Sequence, residues 1–349
     1  NLEIFENSTT HKTMGSLLWV MDHTRTTFGF RLLRKWISKP LIDIESIQQR
    51  QDAVTCIMAE VRNIFFESLN EILSKSIDLE RSLNRIAYGS TSRKEVYFFL
   101  KQIASFSSLF NSHHVYMKGQ LHNENSRIRN GSVLLYNILK ELNDFFVTTN
   151  LPLLLEMINV DAALDKNAHK NAVEFFNLTK YDSSATLLQK HRDIEDVKME
   201  LEEELHNIRK LLKRPAMNYK DTKDYLIEVR NTQIKSVPHD WVKINATKTV
   251  SRFRTPKTEA LINKFRYHND LLSILAEEEF KSFLNRIIKD YSHIKKCINN
   301  LATYDCILSL AATSSNINYI KPCFTDESQT LKVKNGRNPI IESLDVNYV

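Results

Sequence analysis

Thirteen lysine and arginine side chains and four acidic ones fall between residues 207 and 257. That is a local net charge of +9 in a 349-residue chain whose total is +6, so the other 298 residues sum to −3. Within this stretch Lys243, Lys248, Ser251, Arg252 and Arg254 have the types that suit a phosphate backbone. Ammonium and guanidinium groups neutralise phosphates and release counterions, and a hydroxyl adds a hydrogen bond, without any base being read. Residues two apart on a strand share a face. Lys248, Val250, Arg252 and Arg254 are therefore expected on one side, with Thr249, Ser251 and Phe253 on the other. A charge run is often plain solvated surface; confinement of the whole excess to one insertion favours nucleic acid. A rival from another class is a structural coiled-coil scaffold whose basic tip binds an acidic protein partner.

Other constellations carry less. His113-His114 and Asp22-His23 lack metal-ligand spacing such as HExxH. Glu277-Glu278-Glu279 reads as a solvated helix face. Asp78-Leu79-Glu80-Arg81 is expected to form i,i+3 pairs with Arg81 or Arg85 rather than to do acid–base work. No Ser/His/Asp or Cys/His arrangement for nucleophilic catalysis is evident, and no metal site is expected. The 6 glycines lie at 15, 29, 89, 119, 131 and 336, leaving 204 consecutive residues with none. Neither GxxxxGK[ST] nor GxGxxG occurs, which excludes a self-contained P-loop or dinucleotide enzyme in this stretch. With 42% hydrophobic and 26% charged residues the chain reads as folded. No apolar run approaches the ~18 residues of a membrane span. Cys56, Cys297, Cys306 and Cys323 form no CxxC pair and are expected as reduced, mostly buried thiols.

The elements that must position the basic tip are helices. Thr26 and Thr27 precede an apolar face of Phe28, Leu32, Leu33, Trp36 and Ile37, which Pro40 ends. Asp43 offers an N-cap, a helix ends at Gly89, and Ser92 with Glu95 forms a capping box. Asn130-Gly131 marks a turn before Val133. From Ala185 the apolar spacing tightens: Leu187, Ile194, Leu201 and Ile208 recur every seven, Val197, Leu205 and Leu212 fill the seam, and Glu202, Glu203 and Glu204 are placed outside. This helix ends at Pro215 after roughly 42 Å, and a second pattern from Thr258 to Ala312 would span on the order of 80 Å if continuous. Between them Asp224–Arg230, Trp241–Ile244 and Lys248–Arg254 alternate as strands do. Tyr319–Phe324 and Leu331–Val333 are further strand candidates, with Asn335-Gly336 as a turn. The expected fold is mainly α: a multi-helix bundle, two long helices carrying a small antiparallel β insertion, and the start of an α/β domain near the C-terminus.

Four blocks together resemble the MutS family of DNA mismatch-repair proteins. They are Ser16–Gly29 with Arg31, Leu33, Trp36, Pro40 and Leu41; Asp78-Leu79-Glu80-Arg81 with Leu83, Arg85 and Ile86; Ala302–Ala311; and Gly336–Glu342. The tip, Asp240–Lys243 and Val250–Phe253, looks most like the eukaryotic branch of the family that pairs with MutS homologue two. The resemblance implies a helical core over 1–183, a lever helix over 184–214 and a DNA clamp over 215–257. A second lever with return to the core would follow over 258–314, and the beginning of a truncated ATPase domain over 315–349. It further implies recognition of mismatches and insertion/deletion loops, coupled in a full-length protein to ATP and Mg. Partners would be duplex DNA, MutS homologue two and MutL-type proteins; location would be the nucleus. Tyr348 falls where the family places a residue that stacks on adenine. No catalysis is expected of this stretch by itself. One departure is Asn338-Pro339, where the family usually has His-Pro.

Overall fold

Helix starts in this chain are written locally, and a computed structural model forms them where polar side chains can satisfy first-turn amides. It describes residues 3–60, 62–220, 224–316, 318–324 and 331–344. The helices of the first part are α1 (Leu17–Met21), α2 (Thr27–Ser38), α3 (Ile44–Glu60), α4 (Ile64–Ser74), α5 (Leu79–Ala87), α6 (Arg93–Ser112), α7 (His114–His122), α8 (Arg127–Gly131) and α9 (Val133–Thr148). Thr26 caps α2, Asp43 accepts from Ser46 N at 2.8 Å ahead of α3, and the Ser92–Glu95 capping box opens α6. Each such cap stabilises by about 1 kcal/mol. Gly89, at φ 65°, closes α5, with Ser90 N bonded back to Arg85 O in a Schellman arrangement. Asn130-Gly131 is not a free turn: the pair ends α8, and Ser132 then caps α9.

The chain continues through α10 (Leu151–Glu156), α11 (Val160–Leu164), α12 (Ala168–Val173), α13 (Ala185–Leu211), the strands β1 (Ile227–Arg230), β2 (Val242–Ala246) and β3 (Val250–Arg254), and α14 (Pro256–Ile288). It finishes with α15 (Tyr291–Ser314) and α16 (Pro339–Leu344). Two compact units result, one of residues 1–155 and 284–349, the other of residues 156–283. No described helix is long and apolar enough to cross a membrane.

In the first unit α15 packs against α2, α3 and α9. Two of the sequence blocks, Ser16–Gly29 and Ala302–Ala311, are bonded to each other there. Asp305 on α15 accepts Arg25 N at 2.9 Å, Thr26 N at 2.9 Å and the Thr26 hydroxyl at 2.7 Å. The Ser309 hydroxyl donates to Met21 O and accepts from His23 N, both at 2.7 Å. Tyr304 Oη donates to Asn70 Oδ1 at 2.9 Å, and the Cys306 thiol donates to Gly29 O. Asp305, Tyr304, Ser309 and Cys306 are all fully buried. Burial raises the Asp305 carboxyl above its usual value, with the bonds from Arg25 and Thr26 pulling the other way. A Cβ on Gly29 would collide with the Asp305 carboxylate, so only glycine permits this approach.

Asp78 and Glu80 do not pair with Arg81 or Arg85. Their partner is Arg31 on α2, whose guanidinium reaches both Asp78 oxygens at 2.7 and 2.8 Å and Glu80 Oε2 at 2.6 Å; Arg85 pairs with Glu95 instead. The expected strands at Tyr319–Phe324 and Leu331–Val333 are not formed. No strand lies beside them among the described residues. The first is instead pinned to α3 by Gln51 Nε2 on Pro322 O and by the Lys321–Asp52 pair. Asn338 caps α16 through Ile340 N at 3.0 Å.

In the second unit the seven-residue spacing of α13 buries Leu187, Ile194, Val197, Leu201, Leu205 and Ile208. Its middle packs on Leu261 and Ile262 of α14. The two helices run antiparallel, since Glu200 pairs with Lys264 and Glu204 with Lys257. Glu204 is not on the solvent side: it is buried, accepting the Thr255 hydroxyl at 3.0 Å where α14 begins. Thr255 in turn accepts Thr258 N at 2.9 Å, and Pro256 supplies a first helical residue that needs no donor. The long pattern from Thr258 to Ala312 is two helices rather than one. At Asp290, φ −102° and ψ 21°, the chain leaves the helix, after Asp290 N has tightened onto Ile287 O. The 33 residues of α14 span about 50 Å.

Candidate nucleic-acid interface

The basic tip is a three-stranded antiparallel sheet in the order β1-β3-β2. Its inner face is apolar because alternate residues point one way: Ile227, Val229 and Phe253 join Trp241 and Ile208 in one buried cluster. Ser251 shares that face, fully buried, and donates to Asn231 Oδ1 at 2.7 Å.

Register decides which basic groups face outward. Glu228, Arg252 and Asn245 form one cross-strand row, and Arg230 with Val250 forms the next. Arg252 and Val250 are half-buried and Arg230 is exposed. Lys248 sits exposed in the turn between β2 and β3. Asn231 holds that turn: its Nδ2 donates to Thr247 O at 2.9 Å and Lys248 O at 3.1 Å, and its N to Thr249 O at 2.9 Å. One asparagine thus ties β1 to the loop that carries Lys248.

Two expected residues are elsewhere. Arg254 does not continue the outward row; it is 8% exposed. Its guanidinium donates to Asp224 O at 3.0 Å, Asp224 Oδ1 at 3.3 Å and Glu259 Oε2 at 3.0 Å, so it fastens the end of β3 to the approach to β1 and the start of α14. Paired carboxylates and a short reach consume its charge, as a buried cation requires. Ser251 is likewise occupied within the fold. Lys243 is exposed, but a bulge between Lys243 and Asn245 leaves it opposite Phe253 rather than in the Arg252 row. Lys243, Lys248 and Arg252 are therefore the solvent-facing members of the expected set.

Arg230 and Asn231 were not singled out by sequence. Alternation places Arg230 with Glu228 on the face away from Ile227 and Val229, but nothing local marks a basic residue at a strand end as part of a site. Asn231 looks like an ordinary turn former.

Cys56, Cys297 and Cys306 are buried and Cys323 is exposed; burial drives the three buried thiols upward from their usual values. No group of three or more His, Cys, Asp or Glu among the described residues could hold a metal ion. Tyr348 lies outside the described residues. No glycine-rich phosphate loop of the form GxxxxGK[ST] occurs in the sequence.

The family profile for MutS domain III matches residues 1–311. The chain is 73% identical over all 349 residues to the DNA mismatch repair protein MSH3 of Kluyveromyces lactis and 56% identical over 349 residues to that of Eremothecium gossypii. In both cases 100% of this chain and 34% of the relative are covered. It is 53% identical over 336 residues to the protein of the same description from Saccharomyces cerevisiae strain YJM789, covering 96% of this chain and 33% of the relative. The chain thus spans about a third of the length of the curated relatives it matches.

Proposed function

Since the chain belongs to the MutS family of DNA mismatch-repair proteins, we propose that it supplies the core, levers and duplex-DNA clamp of a mismatch-repair protein. The observation that carries this reading is the outward row of the β sheet. Arg230 and Arg252 lie on the outward face and Lys248 is exposed in the adjoining β2–β3 turn, while apolar residues fill the inner face. Such a face holds phosphates without sequence preference. Arg254, Ser251 and Asn231 act one step back, keeping the strands and the Lys248 turn in place. Lys243 adds charge from the edge strand.

In a full-length protein the clamp would serve recognition of mismatches and insertion/deletion loops, with ATP and Mg handled by residues other than the described ones and Tyr348 stacking on adenine. ATP-driven change would be passed along stiff helices such as α13 and α14 to open or close the clamp. MutS homologue two as heterodimer partner, MutL-type proteins downstream and a nuclear location belong to the same reading.

The rival is a scaffold whose basic tip binds an acidic protein. Competition separates them: unlabelled duplex DNA of arbitrary sequence should displace labelled duplex from the full chain, and polyglutamate of equal charge should do so only weakly. Displacement by polyglutamate at equal or lower charge concentration would favour the scaffold.

A further inference from the structure

The outward face of the sheet contains one carboxylate. β1 reads IEVR, β2 VKINA and β3 VSRFR, so Glu228 is the sole acidic residue in the three strands. It lies directly opposite Arg252 in the β1–β3 register, and its Oε2 accepts Arg252 Nε at 3.1 Å. From the other side Asn245 Oδ1 accepts Arg252 Nη1 at 3.4 Å. Both members of the ion pair keep part of their surface in solvent, 27% for Arg252 and 31% for Glu228.

This pair differs from the Arg254 network next to it. Arg254 is buried and tied to two elements by three acceptors, which marks a structural cation. Arg252 is within reach of an approaching strand of nucleic acid, and what occupies it is a planar anion. A carboxylate and a phosphate present their oxygens to the same guanidinium edge. Glu228 takes Nε and Asn245 takes Nη1, so a backbone phosphate that engages the Nε edge of Arg252 competes with Glu228 for it. Among the described residues, Lys248 and Arg230 have no carboxylate partner.

Resting on the reading of this face as a phosphate-binding surface, we propose that Glu228 is an affinity- and specificity-determining residue. It is a built-in phosphate mimic that competes with DNA for Arg252 and holds down binding to intact duplex. Weak hold on ordinary duplex leaves discrimination to whatever contacts the lesion.

The test is a double-mutant cycle on the full chain, with binding to an intact duplex followed across a salt series. E228Q keeps the shape and a hydrogen-bond acceptor while removing the charge. E228T, a second uncharged residue suited to a strand, should behave alike. Thermal melting accompanies each variant. The expected result is that E228Q tightens binding by about 3- to 10-fold with the log–log salt slope little changed, because Arg252 neutralises the same phosphate in both proteins once Glu228 is displaced. In an R252Q background the same change should have less than about a 1.5-fold effect, because the gain requires the released guanidinium. Equal tightening with and without Arg252 would show only long-range charge, and no change or weaker binding would show a purely structural pair; either overturns the competition while leaving the clamp reading intact. If R252Q alone leaves duplex affinity unchanged, the phosphate-binding reading of this face fails and the competition fails with it.

Discussion

Thr26 and Asp305, 279 positions apart in the chain, share a 2.7 Å hydrogen bond from the threonine hydroxyl to carboxylate Oδ2. The same carboxylate takes the backbone amides of Arg25 and Thr26, so one buried side chain of α15 fixes the start of α2. Asp305→Ala would leave two amides and a hydroxyl without partners. Unsatisfied buried groups cost about 1–3 kcal/mol each, so a loss of about 3 kcal/mol or more is expected in urea unfolding. Thr26→Ala, which removes one partner and the cap of α2, should cost about 1–2 kcal/mol.

Gly29 answers to the same geometry. Gly29→Ala places a methyl group against the Asp305 carboxylate and the Thr26 hydroxyl. Although alanine favours helices, the variant should be less stable by about 2 kcal/mol, read from the melting temperature. A stabilised variant would mean that α2 and α15 are not packed this closely.

Arg31 makes a pH-dependent contribution with a definite sign. Burial pushes the Asp78 carboxyl up, but the bonds from Arg31 and the Arg81 amide outweigh it and hold the group below its ordinary value of 3.8. A depressed carboxyl stabilises the folded state above its unfolded pKa, and that stability fades as pH falls through the lower folded value. Arg31→Met should therefore lower the urea midpoint near pH 7 and converge on the parent as pH falls from 3.8 through the depressed folded value. A gap that persists undiminished in acid would point to lost packing instead.

Arg254 and Arg252 should separate cleanly although they are two residues apart. Arg254→Met would leave Asp224 and Glu259 without their shared cation and loosen the sheet. It should lower the melting temperature, with the salt slope of whatever protein remains folded little changed. Arg252→Gln should do the reverse, sparing stability and reducing the slope by about 0.9. Asn231→Ala frees the turn that carries Lys248 and buries the Ser251 hydroxyl without its acceptor. A stability loss of about 1–3 kcal/mol is expected, together with weaker duplex binding.

Much of the fold is legible in sequence where the signal is local. Ser92 and Glu95 satisfy each other's backbone three residues apart, and the seven-residue spacing from Leu187 to Ile208 lies along one helix, so α6 and α13 follow from short windows. Alternation likewise places the three strands. What sequence hides is what depends on a distant partner. The fate of Arg254 is set by Asp224, 30 residues earlier, and that of Arg31 by Asp78 and Glu80, 47 and 49 residues later. Lys243 is displaced from the Arg252 row by a single bulged position, which no periodicity reveals. Tyr319–Phe324 has strand-like residues but no neighbouring strand, and an extended segment becomes a strand only when another chain segment completes its ladder. At the candidate site the count of basic residues was therefore readable, while their division into solvent-facing and structural groups required the register.

If the outward face of the β sheet grips duplex phosphates irrespective of sequence, salt must report it. The direct measurement is the salt dependence of binding by the full chain and its K248Q/R252Q variant to two duplexes of unrelated sequence. Binding to both should weaken by the same factor, with the log–log slope shallower by about 1.8, or 0.9 for each phosphate no longer neutralised. Weakening confined to one duplex, or weaker binding with an unchanged slope, would refute a backbone clamp.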